Sequence, residues 1–248
     1  MLIKTITMLL AVLFLNFSLY AQEIKAKYSV NYGVLGGVGI ANAKLVRDDK
    51  TYTIEIELKS TGMAKMLSKG RTEKHISTGT IVDGMLVSNS YKVIRTYGTK
   101  YKLKEYTIDH NTSKVTKTYI KKDNNKVTST KTKVLNYYAT NDLLTLYFNL
   151  DKLLQDKTTA KTYTFQTIGA EKQNGEVTLI IPKKEDLDKY KKELGDGSDW
   201  YATAIINQKI FKSEKGKLLL RVGNDGITKQ AILKDVIFFG DIVAKKVD

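Results

Sequence analysis

Two histidines are the first residues whose chemistry has to be considered. The chain contains His75 and His110 and has no cysteine. A metal site requires three or four converging ligands, and neither histidine has another histidine two or four positions away. We therefore predict structural roles for both histidines, no metal site and no cofactor. The lack of cysteine also excludes disulfides, thiolate ligands and thiol catalysis.

One pair of carboxylates resembles a hydrolytic site only in its spacing. Glu55 and Glu57 stand two positions apart, on one face of a predicted strand. Glycoside hydrolysis needs two carboxyl groups that face each other across a cleft, so a solvent-exposed strand face explains this pair better. The chain also lacks the G-x-S-x-G sequence that marks a serine nucleophile. We predict no catalytic residue.

A glycine-rich stretch at 33–39 invites comparison with phosphate-binding loops. Its spacing matches neither nucleotide-binding glycine pattern, and no Lys-Ser or Lys-Thr follows it. Its flanks favour strands on both sides, not a strand followed by a helix. We expect a strongly bent strand, or one that another part of the chain approaches closely.

That bent strand also contributes to a candidate ligand-binding site. Methionine suits a site that adapts to different apolar chains, and two methionines follow in the adjacent loop. A tyrosine on a predicted covering helix would complete the site, while the alternative is that all these residues form ordinary core. The predicted ligand-binding residues are Leu35, Gly36, Gly39, Met63, Met66, Leu67 and Tyr147.

Strand-like alternation dominates the elements that must position these residues. In 51–59, for example, Tyr52, Ile54, Ile56 and Leu58 share one face. Short polar turns separate successive segments, and consecutive strands joined in this way favour an antiparallel meander. The sequence therefore predicts a mainly β fold.

Two segments depart from this alternation. Apolar residues recur at helical spacing in 141–154, and Asn141 could cap that helix. The charged segment 183–194 predicts either an amphipathic helix or a mobile insertion. We therefore expect one or two short helices beside the large antiparallel meander.

The first 21 residues have the pattern of a secretory signal peptide. Lys4 precedes an apolar run at 6–17, and the small residue Ala21 comes just before polar residues. The run is shorter than the roughly 20 apolar residues that span a bilayer. Without a cysteine at the cleavage site, the protein is not expected to be a lipoprotein. We predict a signal peptide at 1–21 and a single β-rich domain at 22–248, with no transmembrane segment after cleavage.

The charge balance is strongly basic, with a formal net charge of +15. Such a charge favours an anionic partner, such as a lipid headgroup or an acidic polysaccharide. The alternative is that the lysines, which are spread along the chain, simply cover exposed strand faces. Nucleic acid is excluded as a partner because the chain is predicted to be exported and has no recognition motif.

Short motifs along the chain resemble those of one known family. They lie at 32–36, 39–41, 52–54, 60–62, 75–79, 91, 141–149, 224–226 and 236–242. Together they resemble the exported family of Gram-negative bacteria called domain of unknown function 3108. The resemblance implies an antiparallel meander that wraps into an open or partly closed barrel in the cell envelope, and it brings no catalytic residue. The segment 183–195 departs from it, since a short connection between strands is expected there.

These observations favour a periplasmic, non-enzymatic protein that binds or carries an amphipathic or anionic envelope ligand, such as a lipid or glycolipid. Peripheral contact with a membrane is compatible with this role. One alternative is an envelope glycan hydrolase or lyase, which needs a pocket where His75 or His110 meets a carboxylate. Another is a scaffold that binds a protein partner by edge-strand addition, which a long exposed edge without a cavity would favour.

Overall fold

A computed structural model of the chain describes residues 22–197, 199–206, 216–236 and 240–247. The predicted signal peptide and part of the 236–242 motif lie outside these residues. Within them, no helix has the length and apolar character needed to cross a membrane.

The described residues form an antiparallel sheet of fourteen strands. Neighbouring strands in the sheet are consecutive in sequence except where β1 pairs with β14. The strands are β1 (Gln22–Tyr32), β2 (Gly37–Arg47), β3 (Thr51–Ser60), β4 (Thr72–Val82), β5 (Met85–Tyr97), β6 (Lys100–Asp109), β7 (Lys114–Asp123), β8 (Lys126–Val134), β9 (Lys161–Gln166), β10 (Glu176–Ile181), β11 (Trp200–Ile206), β12 (Gly216–Val222), β13 (Thr228–Val236) and β14 (Gly240–Lys246).

The sheet is open, with β8 at one edge and β9 at the other. Its two halves join where β1 pairs with β14, for example at Tyr28 and Lys246. The prediction of a large antiparallel meander forming an open or partly closed barrel is therefore confirmed, and the sheet is not closed. Lysines on the exposed strand β8, such as Lys131, discourage this edge from pairing with other chains.

Three α-helices accompany the sheet in the described part of the chain: α1 (Gly62–Leu67), α2 (Leu143–Leu153) and α3 (Leu187–Leu194). The expectation that only a few short helices accompany the meander is confirmed; α1, of six residues, is additional to the two segments predicted above. The charged segment 183–194 is a helix at its C-terminal end. Leu194 of α3 packs with Tyr201 and Leu219, which hold the helix against the sheet.

Helix α2 lies inside the curve of the sheet. Leu144 belongs to an apolar cluster with Tyr91 of β5, whereas Leu150 belongs to a second cluster with Leu220 of β12. Strands β5 and β12 are far apart in the strand order, so the sheet must curve around the helix to contact it from both sides. Both polar and apolar side chains line the space between α2 and the sheet.

Candidate functional site

A buried carboxylate fixes the start of α2 against the sheet. The residue that caps the helix is Asp142, not Asn141 as predicted. Its Oδ1 accepts hydrogen bonds from the backbone N–H groups of Leu144 and Thr145 at 2.7 and 3.0 Å. Its Oδ2 accepts from the hydroxyls of Ser77 and Ser88 at 2.5 and 2.6 Å. One side chain thus joins the helix to β4 and β5.

A second polar contact fixes α2 about two turns later. The Asn149 amide donates to the Leu86 carbonyl at 2.9 Å and accepts from the Leu86 N–H at 3.0 Å. This pair of bonds imitates a neighbouring strand. Asn149 also donates to the side-chain oxygen of Asn141 at 2.8 Å, so Asn141 contributes to the helix position although it is not the cap.

A cavity of about 400 Å³, which we call the central cavity, lies between α2 and the inner face of the sheet. Its volume is within the range of roughly 300–1,000 Å³ that is usual for small-molecule sites. Most of its wall is apolar and comes from α2 and from strands β9 to β12. The apolar wall includes Leu146, Leu150, Phe165, Leu179, Leu218 and Leu220.

Polar residues from β4, β5 and β6 line the other end of the central cavity, beginning with a group around Glu73. The carboxylate of Glu73 accepts from Nη2 of Arg95 at 2.7 Å and lies 3.0 Å from Nε2 of His75. Burial alone would raise the pKa of Glu73, but the hydrogen bonds from His75 and Arg95 outweigh it and hold this pKa below its usual range. Arg95 therefore meets the cavity paired with Glu73, a carboxylate that also pairs with Arg71.

A second carboxylate, Glu171, closes the polar end from the connection between β9 and β10. It accepts hydrogen bonds from the hydroxyl of Tyr106 and from the ammonium of Lys117, the latter at 2.5 Å. Burial opposes ionisation of Glu171, yet the bonds from Lys117 and Tyr106 keep its pKa below the ordinary value. Because Tyr106 and Lys117 lie on β6 and β7, these contacts bring the two halves of the open sheet together.

Lys104, like the exposed Lys172, lies at the polar end without a carboxylate partner among the described residues. It lines the central cavity and is half-buried. Its ammonium forms no hydrogen bond or salt bridge within the described part of the chain. Burial, followed by repulsion from Lys117, lowers the pKa of Lys104. Nearby Arg95 adds a buried Nε that has no hydrogen-bond partner among the described residues.

Of the predicted ligand-binding residues, Tyr147 lies in the interior. It lines the central cavity and also two smaller cavities of about 210 and 220 Å³. Its hydroxyl lies 2.8 Å from that of Thr228, accepts from the Thr228 N–H at 2.9 Å and donates to the Gly226 carbonyl at 3.2 Å. These hydrogen bonds fix the Tyr147 side chain, which lies between the central cavity and the two smaller cavities.

The other six predicted residues lie together elsewhere, near the turn between β1 and β2. Leu35 and Gly36 are exposed there, while Gly39 lies on β2. A Cβ on Gly39 would lie 2.7 Å from the Lys59 carbonyl oxygen, which agrees with the expected close approach of another chain segment. Met63, Met66 and Leu67 project from α1 and are also exposed. None of these six lines the central cavity, so their role in binding stays a prediction.

Sequence analysis missed the polar residues of the central cavity. Arg95, Lys104 and Glu171 carry no motif, and each resembles the many charged residues on neighbouring strands. One signal was available, because His75 and Glu73 share a strand face at the period of two. That pattern was visible in the sequence, but the contact between His75 and Tyr91 on the neighbouring strand was not.

The two histidines have different surroundings. His75 Nδ1 lies 2.7 Å from the Tyr91 hydroxyl, so both of its ring nitrogens have partners. His110 Nδ1 lies 2.7 Å from the Tyr138 hydroxyl, and its Nε2 lies 2.9 Å from the Ser88 carbonyl oxygen. Among the described residues, no group of three or more His, Cys, Asp or Glu side chains could hold a metal ion.

Comparison with known proteins identifies a family and a similar fold. The model of the family described as "Protein of unknown function (DUF3108)" matches residues 27–197. No curated protein matches the chain. A crystal structure described as a beta-barrel-like protein of domain of unknown function DUF1849 from Brucella abortus is similar, with a TM-score of 0.52 and 12% identity over 93% of this chain and 97% of that one. At this identity the similarity concerns the fold alone.

Proposed function

Because the chain belongs to the DUF3108 family, whose description assigns no function, we propose from the central cavity itself that the protein binds and carries an amphipathic ligand with an anionic head group. The observation that carries this proposal is the division of the cavity into an apolar wall and a polar end. An acyl or similar chain would lie against the leucines, and the head group would meet Lys104.

The charges of the polar end favour an anionic head group. Glu73 pairs with Arg95 and also with Arg71, and Glu171 pairs with Lys117. Lys104 and the exposed Lys172 line the cavity without a carboxylate partner among the described residues, and Lys104 is the half-buried one of the two. Buried charges are stabilised when they are paired, so an anion at Lys104 would complete the pattern. A carboxylate or a phosphate monoester has the required chemistry. A lipid or glycolipid of the envelope is the proposed source.

We propose a non-enzymatic role because His75, the histidine that lies beside a carboxylate, already contacts other side chains through its ring. The enzyme alternative requires a histidine beside a carboxylate in a pocket, and His75 beside Glu73 meets that geometric condition. However, Nδ1 of His75 faces the hydroxyl of Tyr91, a residue that is 1% exposed. With both ring nitrogens engaged, His75 has no free nitrogen to offer a substrate, and a structural role explains it better.

The scaffold alternative is less well supported than the carrier. It would be favoured by a long exposed edge in the absence of a cavity. Strand β8 is indeed an exposed edge, but it carries the lysines that discourage strand addition, and the interior contains the central cavity. We place the carrier in the periplasm as part of the same proposal, on the strength of the signal-peptide pattern at 1–21.

The experiment is to purify the protein from the envelope of its own cells and identify co-purifying lipids by mass spectrometry. The same protein is then titrated with a fluorescent long-chain fatty acid. Ala204 is buried and lines the cavity, so Ala204→Phe fills the space without adding a polar group. The matched control is Thr132→Phe, which adds the same ring on the exposed strand β8.

The proposal predicts that wild type and Thr132→Phe bind the fatty acid and retain lipid, while Ala204→Phe loses both. Circular dichroism and thermal unfolding must show that Ala204→Phe is folded. If it proves unfolded, Leu218→Trp tests the same wall from β12. Equal binding by a folded cavity-filled variant, or no lipid and no fatty-acid binding in wild type, overturns the proposal.

A further inference from the structure

Five apolar side chains are exposed at one end of the sheet. They lie on the turn Gly33–Leu35 and on helix α1, and neither segment contains a buried residue. The exposed fractions are 70%, 75% and 70% for Met63, Met66 and Leu67 and 89% for Val34. We call Val34, Leu35, Met63, Met66 and Leu67 the apolar tip.

The two segments of the apolar tip are held side by side. Strands β2 and β3 pair at this end, where Gly39 lies opposite Ser60. The backbone N–H of Thr61, which precedes α1, donates to the Val38 carbonyl at 3.0 Å. The turn before β2 is itself closed by a hydrogen bond of 2.9 Å from the Tyr32 N–H to the Gly36 carbonyl. The apolar side chains are therefore presented by a fixed backbone.

Lysines without acidic partners lie beside the apolar tip. Lys65 is part of α1, and the Lys69 carbonyl accepts a hydrogen bond of 2.9 Å from Gly98 in the turn that leads to Lys100. All three lysines are exposed. None of their ammonium groups forms a salt bridge with another described residue. Apolar side chains with a basic border are the combination that binds anionic membranes, because the apolar groups enter the headgroup boundary while the cations meet phosphate.

We propose that the apolar tip docks the protein onto an anionic lipid bilayer. A protein partner would also cover apolar residues, but the unpaired lysines and the net charge of +15 favour a surface with many negative charges. The docking goes beyond the proposed ligand binding, since none of the five tip residues lines the central cavity.

The polar end of the central cavity lies close to the apolar tip, so docking would bring it near the membrane. Thr72 and Thr96 lie opposite each other at the tip end of β4 and β5. His75 and Arg95 are therefore no more than three residues from that end, or about 10 Å at 3.3 Å per residue. A protein docked through its tip would hold the head-group end of the cavity near the membrane surface, where an amphipathic ligand can be exchanged.

The test is co-sedimentation of the protein with vesicles of phosphatidylcholine alone and with vesicles that also contain phosphatidylglycerol. The test variant combines Met63→Ser, Met66→Ser and Leu67→Ser. The matched control combines Val127→Ser and Val134→Ser, because both valines are 59% exposed on β8. A second variant combines Lys65→Glu and Lys69→Glu.

The proposal predicts that wild type and the β8 control bind the anionic vesicles, with weaker binding at high salt. Both tip variants should bind at least about tenfold more weakly, since the apolar and the electrostatic contributions add. It is overturned if wild type does not bind, if tip and control variants bind equally, or if the tip instead captures a protein and ignores vesicles. Fatty-acid titration of the tip variants separates this outcome from the proposed function, because their central cavity is unchanged.

Discussion

The hydroxyl of Ser88 donates a hydrogen bond of 2.6 Å to Oδ2 of Asp142, which lies 54 positions further along the chain. The Asp142 side chain is fully buried. Burial raises its pKa, although the hydrogen bonds from Ser77 and Ser88 favour the charged form. The wall that α2 provides to the central cavity therefore depends on a carboxylate at the start of the helix, and removal of this carboxylate is the most direct test of the fold.

We expect Asp142→Ala to lower the free energy of unfolding by about 3 kcal/mol, because it leaves two buried hydroxyls and two helix N–H groups without their acceptor. Urea titration followed by circular dichroism measures the change. Thr61→Ala is the matched control, since Thr61 caps α1 but makes no side-chain cap hydrogen bond. A similar, small loss in both variants would show that the Asp142 contacts add little stability.

A glycine on β4 provides a second test of the inner packing. A Cβ on Gly79 would lie 1.9 Å from the Val87 carbonyl oxygen and 2.8 Å from the Tyr52 hydroxyl. We expect Gly79→Ala to destabilise the protein by about 3 kcal/mol, because neither the backbone of β5 nor the buried tyrosine can withdraw without cost.

The control for this change is Gly37→Ala at the start of β2. A Cβ on Gly37 would meet its nearest neighbour, the Asn31 side chain, at an ordinary 3.8 Å. The control should change the free energy of unfolding by less than about 0.5 kcal/mol, as is usual for surface positions. Equal midpoints of chemical unfolding for both variants would contradict the close packing around Gly79.

The sequence predicts the strands well and the polar end of the cavity poorly, for one physical reason. Alternation is a local property, so the face shared by Tyr52 and Ile54 is readable, and both are buried. Tyr147 is similarly predictable from the apolar stripe of its helix. The role of Lys104 is not predictable from the sequence. It depends on Glu171, which comes from the other half of the open sheet and is already paired with Lys117.

The exposure of the apolar tip was not predictable from the sequence. Met63 and Met66 were predicted to contact a ligand because methionine suits a site that adapts to different apolar chains, and this stays a prediction. Both side chains are exposed, and α1 contains no buried residue. Apolar character is visible in a sequence, but whether the fold covers it is decided by distant strands.

The ion pair between Glu73 and Arg95 should make stability depend on acid pH. Because hydrogen bonds hold the folded pKa of Glu73 below its usual 4.5, the unfolded state binds more protons than the folded state as the pH falls below that value. The stabilisation from Glu73 is therefore complete above the unfolded pKa and is lost as the pH falls towards the folded one.

We expect Glu73→Gln to lower the free energy of unfolding at neutral pH, because it leaves the partly buried Arg95 without a counter-charge. The variant should also lose stability less steeply than wild type between about pH 5 and pH 3. Urea titrations across this range measure both effects. Glu57→Gln, whose carboxylate pairs with the exposed Lys59, is the control and should change the free energy of unfolding at neutral pH much less, because an exposed ion pair adds little stability. If the stability of Glu73→Gln fell with pH as steeply as that of wild type, the pKa of Glu73 would not be lowered in the folded protein.

Binding of an anionic ligand should depend on the charge of Lys104. Burial and the nearby Lys117 lower its pKa below the ordinary 10.5, so this lysine loses its proton at a lower pH than exposed lysines do. An anion binds the charged form and pairs with it, so the affinity for a fluorescent fatty acid should fall as the pH rises through that lowered pKa.

Two substitutions separate the charge of Lys104 from its size. Lys104→Gln should weaken fatty-acid binding roughly tenfold or more at neutral pH, the typical loss of a hydrogen bond to a charged group. Lys104→Arg should keep the binding and remove its decline at alkaline pH, because a guanidinium stays charged. Lys131→Gln on the exposed strand β8 removes the same charge far from the cavity wall and should bind like wild type. If Lys104→Gln also binds like wild type at every pH, the head group does not lie at Lys104, although the apolar wall could still hold the chain.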